Sequence, residues 1–410
     1  MSYESSPGVL IAGAGPVGLS CALALARQGI AVTLIERGPD VYRAPRAMGY
    51  HWSALYGLDD LGVLDDMKTR GFLAHGIDMH VLRTGEVVPF STDPLVGNVA
   101  HPYSITLGQD KLAEILIEHL AKYDHVRTLW QTTVTDVEQD DQRVIVTLDS
   151  GRRLAAPWLV AADGAASTIR PRLGLGFEGV TWPHNFIASN VRFDFSQLGY
   201  ADNNYVIDPV LGAVLAKVTA DGIWRVTWSE DAALPEEGVH ERIERFLTAL
   251  LPPGAQYQVA DFSRYRMHQR AAPTMRAGRV VLVGDAAHAT NPTSGFGLVG
   301  GLHDVFVLSE AMGAIVRGEL SDEMLDRYSE DRLTAFWTVS SPISTESKRL
   351  VFHSDDPDLL EVDLQRLRRI ARNPAMLLAF WLQGSRIESP SLVTGRLLSD
   401  GRNTVGATSG

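Results

Sequence analysis

The stretch VLIAGAGPVGLSCALALARQGIAVTLIERG, residues 9–38, leaves the chain little freedom in how it starts to fold. VLIA reads as a short apolar strand. Leu19 to Gln28 are good helix formers with Gly29 as a stop, and AVTLIE reads as a second strand. Between strand and helix, Gly13, Gly15 and Gly18 stand in the pattern G-x-G-x-x-G. Gly13 allows a tight turn, Gly15 lets the backbone approach a pyrophosphate, and Gly18 permits close helix–strand packing. The helix amino terminus then offers unpaired N–H groups and a partial positive charge to phosphates. Glu36, with Arg37 beside it, is placed to meet a ribose. The unit predicts dinucleotide binding and does not by itself distinguish FAD from NAD.

A chain of 410 residues is too long for one small core, so two or three structural units are expected. Its 45% hydrophobic and 21% charged content suits a globular enzyme, and a formal charge of −12 argues against a nucleic-acid partner. Residues 8–26 carry no charge, but MSYESSP before them has an acid and no base. Patterned glycines and Pro16 also break the run, so neither a membrane span nor a signal peptide is expected. Cys21 is the single cysteine; it reads as a small core residue, and its solitude excludes an intrachain disulfide and fits the cytoplasm. No His-x-x-x-His or carboxylate cluster has metal-ligand spacing.

Two later segments repeat the theme of an apolar strand ending in a polar loop. WLVAADGAASTIRPRLGL (158–175) delivers Asp163 and Gly164, followed by Arg170. GRVVLVGDAAHATNPTSGFG (278–297) delivers Asp285, then His288, Pro292 and Gly297. Ligands of open α/β sheets collect beyond the carboxyl ends of strands, so Asp285 is expected in the cofactor crevice. A carboxylate there suits hydroxyls better than phosphate.

These three motifs, in this order and spacing, together with RAPRAMGYH (43–51), resemble the FAD-dependent aromatic hydroxylases, the para-hydroxybenzoate and phenol hydroxylase family. The resemblance covers roughly residues 8–345. It implies an FAD enzyme that takes hydride from NAD(P)H, with NADPH favoured. Such an enzyme inserts one oxygen atom of dioxygen into a small phenol through a flavin C4a-hydroperoxide. Carried over by position, Gly13, Gly15 and Gly18 face the ADP pyrophosphate, Glu36 the adenosine ribose, and Arg46 the phosphates. Gln109 and Asp285 face the ribityl chain. Asp163 and Gly164, with Arg170, belong to the motif shared by FAD and the nicotinamide cofactor. Pro292 lies beside the reactive edge of the flavin, and the N–H groups of Leu298 and Val299, after Gly297, face a flavin carbonyl. The family often has an Asn where this chain has Val299. Within the family, RFDFSQLGYADNNYVIDP (192–209) is most similar to para-nitrophenol 4-monooxygenases, where oxygen enters at the nitro-bearing carbon.

The expected fold is α/β, a Rossmann-like FAD domain with an inserted antiparallel sheet over the flavin and a helical carboxyl-terminal segment. The FAD domain is expected from 1–72, 103–180 and 265–345. The substrate sheet is expected from 73–102 and 181–264, with helices over 346–400 and a disordered tail at 401–410. NFIASNVRFDF alternates apolar and polar residues, and Asp221-Gly222 marks a hairpin. The sheet's purpose is a dry pocket, in which a phenol needs a proton acceptor. His51, Tyr205, Tyr265 and His268 are the candidates. His288 reads as a loop-orienting residue, and Arg225 and Arg266 as partners for a substrate anion or as surface residues. A monomer or homodimer is expected. Alternatives are a tailoring hydroxylase for a larger aromatic product and a non-catalytic FAD-fold binder. A halogenase is disfavoured because WRVTW does not match W-x-W-x-I-P.

Overall fold

A computed structural model describes residues 3–6, 8–219 and 222–400. The expected tail at 401–410 and Asp221 of the expected hairpin lie outside the described residues. Strand Val9–Ala12, helix Pro16–Ala26 and strand Val32–Ile35 form the opening unit. The helix starts before Leu19 because Pro16 occupies a first-turn position, where its missing N–H has no partner to lose. Gly29 follows the helix at φ +75°, the left-handed stop.

These strands belong to a six-stranded sheet. Its order is Arg276–Ala277, Val280–Leu282, Trp158–Ala161, Val9–Ala12, Val32–Ile35 and Val126–Leu129. All neighbours are parallel except at the Arg276–Ala277 edge. A parallel sheet has to be covered on both faces, so its central strands are mainly apolar. Val9, Leu10, Ile11, Leu34, Val160 and Val281 are accordingly buried. Helix Pro16–Ala26 packs against Gln109–Leu120 and Phe296–Val316 in this core. Phe296–Val316 is long and apolar enough to cross a membrane, but 78% of its apolar window is buried in protein. Its hydropathy is that of a core helix.

A mixed eight-stranded sheet forms the second layer. Its order is His288–Ala289, Gln258–Ala271, Glu178–Arg192, Ile223–Asp231, Ala213–Lys217, Asn203–Ile207, Gly76–Val81 and Glu86–Ser91. Asn203–Ile207 and Gly76–Val81 pair in parallel, which departs from a purely antiparallel sheet. Glu178–Arg192 and Gln258–Ala271 also run past the expected borders at 180/181 and 264/265. Their pairing is continuous across both borders, so the two layers share strands. Helices Pro357–Arg372 and Pro374–Gln383, split at Asn373, pack through Leu360, Leu364, Leu377 and Trp381 onto Met79, Val88 and Phe90.

One buried ionic cluster ties the 284–288 loop to helix Phe296–Val316. Asp304 accepts hydrogen bonds from His288 Nε2 (2.8 Å), Gly284 N (2.9 Å) and Arg332 Nε (2.8 Å). Burial alone would raise its pKa, but His288 and Arg332 outweigh burial and hold it below the ordinary carboxylate range. Its contribution to stability is therefore complete above about pH 4 and is lost as strong acid protonates it. Asp304→Ala would leave Arg332, 1% exposed, without a counter-charge. A loss of about 3–5 kcal/mol is expected in denaturant unfolding. A loss below about 1 kcal/mol would show that the cluster does not hold the loop.

Candidate functional site

In the parallel sheet, Ala161 pairs with Ala12 on one side and with Leu282 on the other. The three strands end level, and the loops that follow them open at one height. Gly15, Asp163 and Asp285 consequently line one cavity of about 950 Å³. That lies at the top of the range of ~300–1,000 Å³ usual for small-molecule sites, enough for a long cofactor.

The cavity begins at Glu36 and Arg37. Glu36 accepts from Ala14 N and Gly38 N, both 2.8 Å, so it braces the glycine turn as well as facing the cavity. Gly13 sits at φ +105°, and a side chain there would strike the Ala162 carbonyl. Gly18 lies behind the cavity wall, where a Cβ would meet Gly13 O. Gly15 differs: a Cβ there meets nothing within 4 Å, because it would point into the cavity.

Further along, Arg46 reaches over the rings of Tyr42 and Tyr265, at 5.0 and 5.2 Å. Gln109 opens helix Gln109–Leu120 at the cavity wall. Asp163 accepts from Thr168 N and Ile169 N through Oδ2, while Oδ1 is buried without a partner. Gly164 follows at φ +81°, turning the backbone along the wall. Asp285 is open to the cavity and meets no protein donor among the described residues. Burial raises its pKa, partly offset by His288 and Arg46. Tyr50 Oη, Thr106 Oγ1 and Thr293 Oγ1, on the same wall, are also buried and unpartnered. Buried polar atoms are usually satisfied, so these three and Asp163 Oδ1 are free to meet a polar ligand in the cavity.

Pro292 and Gly297 line the far bend, where helix Phe296–Val316 begins. The N–H groups of Gly297 and Leu298 have no carbonyl one turn back, whereas that of Val299 faces Gly295 O within the helix. Val299 is thus no free donor, although it is part of the cavity lining as well as of the core. This corrects the expectation of a paired Leu298–Val299 contact.

The four candidate proton acceptors all line the cavity, and their surroundings constrain them. His51 caps helix Trp52–Asp60 through Nδ1, and burial lowers its pKa to about 3. Tyr205 donates to Thr293 O at 2.9 Å, and burial pushes it to about 12, as it does Tyr265. His268 contacts Thr181 Oγ1 at 3.0 Å, and its pKa is lowered by burial and by Arg270, Arg266 and Arg170. Arg225 is neither on the surface nor in the cavity. It is buried, with Nε on Asn190 and Nη1 on Arg46 O (2.7 Å), so it supports the Arg46 loop. Arg170 bridges two loops through Ala286 O and Ala165 O.

Sequence reasoning missed the carboxyl-terminal contribution. Ile343, Ser347, Phe380, Trp381 and Gln383 close the cavity end near His51. The aromatic pair in LLAFWLQ was a signal, yet it read equally well as helix packing.

The sequence matches the FAD binding domain family over residues 7–341, and the chain belongs to that family. It is 39% identical to 6-hydroxy-3-succinoylpyridine 3-monooxygenase HspB of Pseudomonas putida S16, over 91% of this chain and 98% of that protein. It is 37% identical to para-nitrophenol 4-monooxygenase of Pseudomonas sp. WBC-3, over 96% and 99%. The crystal structure of p-nitrophenol 4-monooxygenase PnpA from Pseudomonas putida DLL-E4 superposes with a TM-score of 0.91 at 35% identity, covering 94% and 99%. The protein is an FAD-dependent aromatic monooxygenase.

Gly15→Val tests the crevice. Its side chain would touch no protein atom, so thermal stability of the flavin-free form should be unchanged while flavin is lost on purification. Full flavin retention would contradict the placement.

Proposed function

We propose that this enzyme hydroxylates a small single-ring phenol with dioxygen and NADPH, acting in the manner of a para-nitrophenol 4-monooxygenase. One observation carries the choice of a small substrate. Helix Pro374–Gln383 and the sheet close the far end of the cavity with Phe380, Trp381, Met79 and Ile77. The extent of similarity supports it too. The chain spans 99% of the para-nitrophenol enzyme but 59% of 6-methylpretetramide 4-monooxygenase of Streptomyces rimosus. The reading of a larger aromatic substrate is correspondingly weaker.

In this reading Glu36 and Arg37 would hold the adenosine end of FAD, Gly13 and Gly15 its pyrophosphate, and Pro292 and Gly297 its ring system. The amino terminus of helix Pro16–Ala26 and the Arg46 guanidinium meet the negative phosphates. Asp285, lacking a protein donor, would accept from the ribityl hydroxyls, and Gln109 would bond alongside it. Asp163 Oδ1 takes a further hydroxyl or amide. Leu298 N–H, at the start of its helix, would donate to a ring carbonyl. When bound and reduced by NADPH, the flavin supplies the oxygen-transferring chemistry. The apolar closed end keeps water from the reacting atoms and holds the phenol ring in one orientation. At the opposite side, Arg266 stands exposed on the cavity wall near His268 and Arg270, a cationic edge suited to the phosphates of NADPH.

A panel of phenols, scored for coupled NADPH consumption and hydroxylated product, tests the activity. A small phenol with an electron-withdrawing substituent should give product in step with NADPH. Oxidation that releases peroxide alone with every phenol would contradict it. Asp285→Ala should weaken flavin affinity about 10- to 100-fold, the loss expected for charge-assisted hydrogen bonds, measured by fluorescence titration.

A further inference from the structure

The wall of the closed end carries a hydrogen-bond chain whose direction is determined by its members. Ser53 N–H points at His51 Nδ1 at 3.3 Å. A backbone amide only donates, so Nδ1 is an acceptor and the proton of neutral His51 lies on Nε2. Ser53 Oγ lies 3.0 Å from the same Nδ1 and must donate to it as well. With its proton so used, Ser53 Oγ accepts from His303 Nε2 at 3.2 Å. All three links run one way, from His303 in the core of helix Phe296–Val316 through Ser53 to the Nε2–H of His51. His303 and Ser53 are 1% and 0% exposed.

His51, at the end of the chain, is part of the cavity lining. Among the described residues no protein acceptor meets His51 Nε2. The Cε1–Nε2 edge lies against Gly384, where a Cβ would come within 2.7 Å of Nε2. Gly384 leaves room for that edge, and Trp52 and Phe296 hold the ring from two sides, at 5.3 and 5.8 Å. Aligned hydrogen bonds in a low-dielectric setting polarise one another, so the terminal donor is stronger than an isolated imidazole N–H.

We propose that His303, Ser53 and His51 form a fixed-direction chain that presents a neutral N–H donor to the anionic oxygen of a phenolate, so that the site takes its substrate already ionised. The inference rests on the phenol-hydroxylase reading above. His51 is the residue that touches the substrate; Ser53 and His303 are positioning residues. The groups around the site agree. His51 stays neutral throughout the working range, and Tyr205 and Tyr265 hold their protons to about pH 12. The charges nearest His303 are Arg332 and Asp304, which pair with each other. Asp285 and Arg46 lie toward Tyr265. No proton leaves the substrate in the site: it departs to water before binding, and the donor lowers the energy of the oxygen anion left on the ring. Phenols acidified by an electron-withdrawing ring substituent ionise readily enough for this.

The test uses the FAD-loaded protein without NADPH and 4-nitrophenol as a chromophore. Bound 4-nitrophenol should titrate about one pH unit below the free compound, the shift that a hydrogen bond to a charged oxygen produces. His51→Leu should abolish the shift. Ser53→Ala should reduce it while leaving the amide link to Nδ1 intact, and His51→Gln should restore part of it. In turnover, the acidic limb of kcat/KM should fall as pH drops through the pKa of each phenol and so move from one phenol to the next. Binding with an unshifted pKa, or a limb at one pH for all phenols, would overturn the chain's role while leaving the hydroxylase reading intact. Failure of every phenol to bind or be hydroxylated would overturn both.

Discussion

Three parallel strands that end in one row are the constraint on which the rest depends. Ala12, Ala161 and Leu282 pair across the sheet, so the glycine turn, the Asp163 loop and the Asp285 loop leave it side by side. Backbone contact keeps them there. Gly18 lies against Gly13 O and the Ala162 Cβ, and Gly13 lies against the Ala162 carbonyl, at distances that admit no added side chain. Segments far apart in sequence thus share one crevice because the sheet register leaves them nowhere else to go.

The carboxylates around that crevice divide by how fully the protein satisfies them. Asp304 is saturated by Gly284, His288 and Arg332, and its task is to hold the loop. Asp285, in the same loop, has no protein donor, and Asp163 keeps one oxygen unpartnered. Leaving a buried polar atom such as Asp163 Oδ1 unpaired costs about 1–3 kcal/mol, whereas Asp285 is open to the cavity. These unpaired acceptors are available to a polar ligand. The closed end, by contrast, is largely apolar, and its distinctive polar feature is the donor chain ending at His51.

Local chemistry was legible in the sequence where its cause is local. Gly13, Gly15, Gly18 and Glu36 follow from turn geometry within one β-α-β unit, and Asp163 and Asp285 from strands that end in loops. His288, read as a loop-orienting residue, bonds Asp304 in the loop's anchoring cluster. What the sequence concealed depends on long-range packing. Arg225 gives no sign in its own segment that it would be buried beneath Arg46 O. Phe380 and Trp381 become cavity wall only because helix Pro374–Gln383 folds back onto Glu86–Ser91 and Trp52. His51 was read as a candidate proton acceptor, and the sequence does not show that the amide of Ser53, two residues on, bonds its Nδ1. Val299 reached the core because the helix starts at Phe296 and so pairs its N–H internally.

The central claim is that one crevice, built on these three strand ends, holds FAD along its length. A crystal structure of the flavin-loaded protein tests this most directly. The account predicts continuous density from Glu36, past Gly15 and Asp285, to the turn at Pro292 and Gly297. Density for the flavin at another site, or running through the crevice without contact to Asp285, would contradict it.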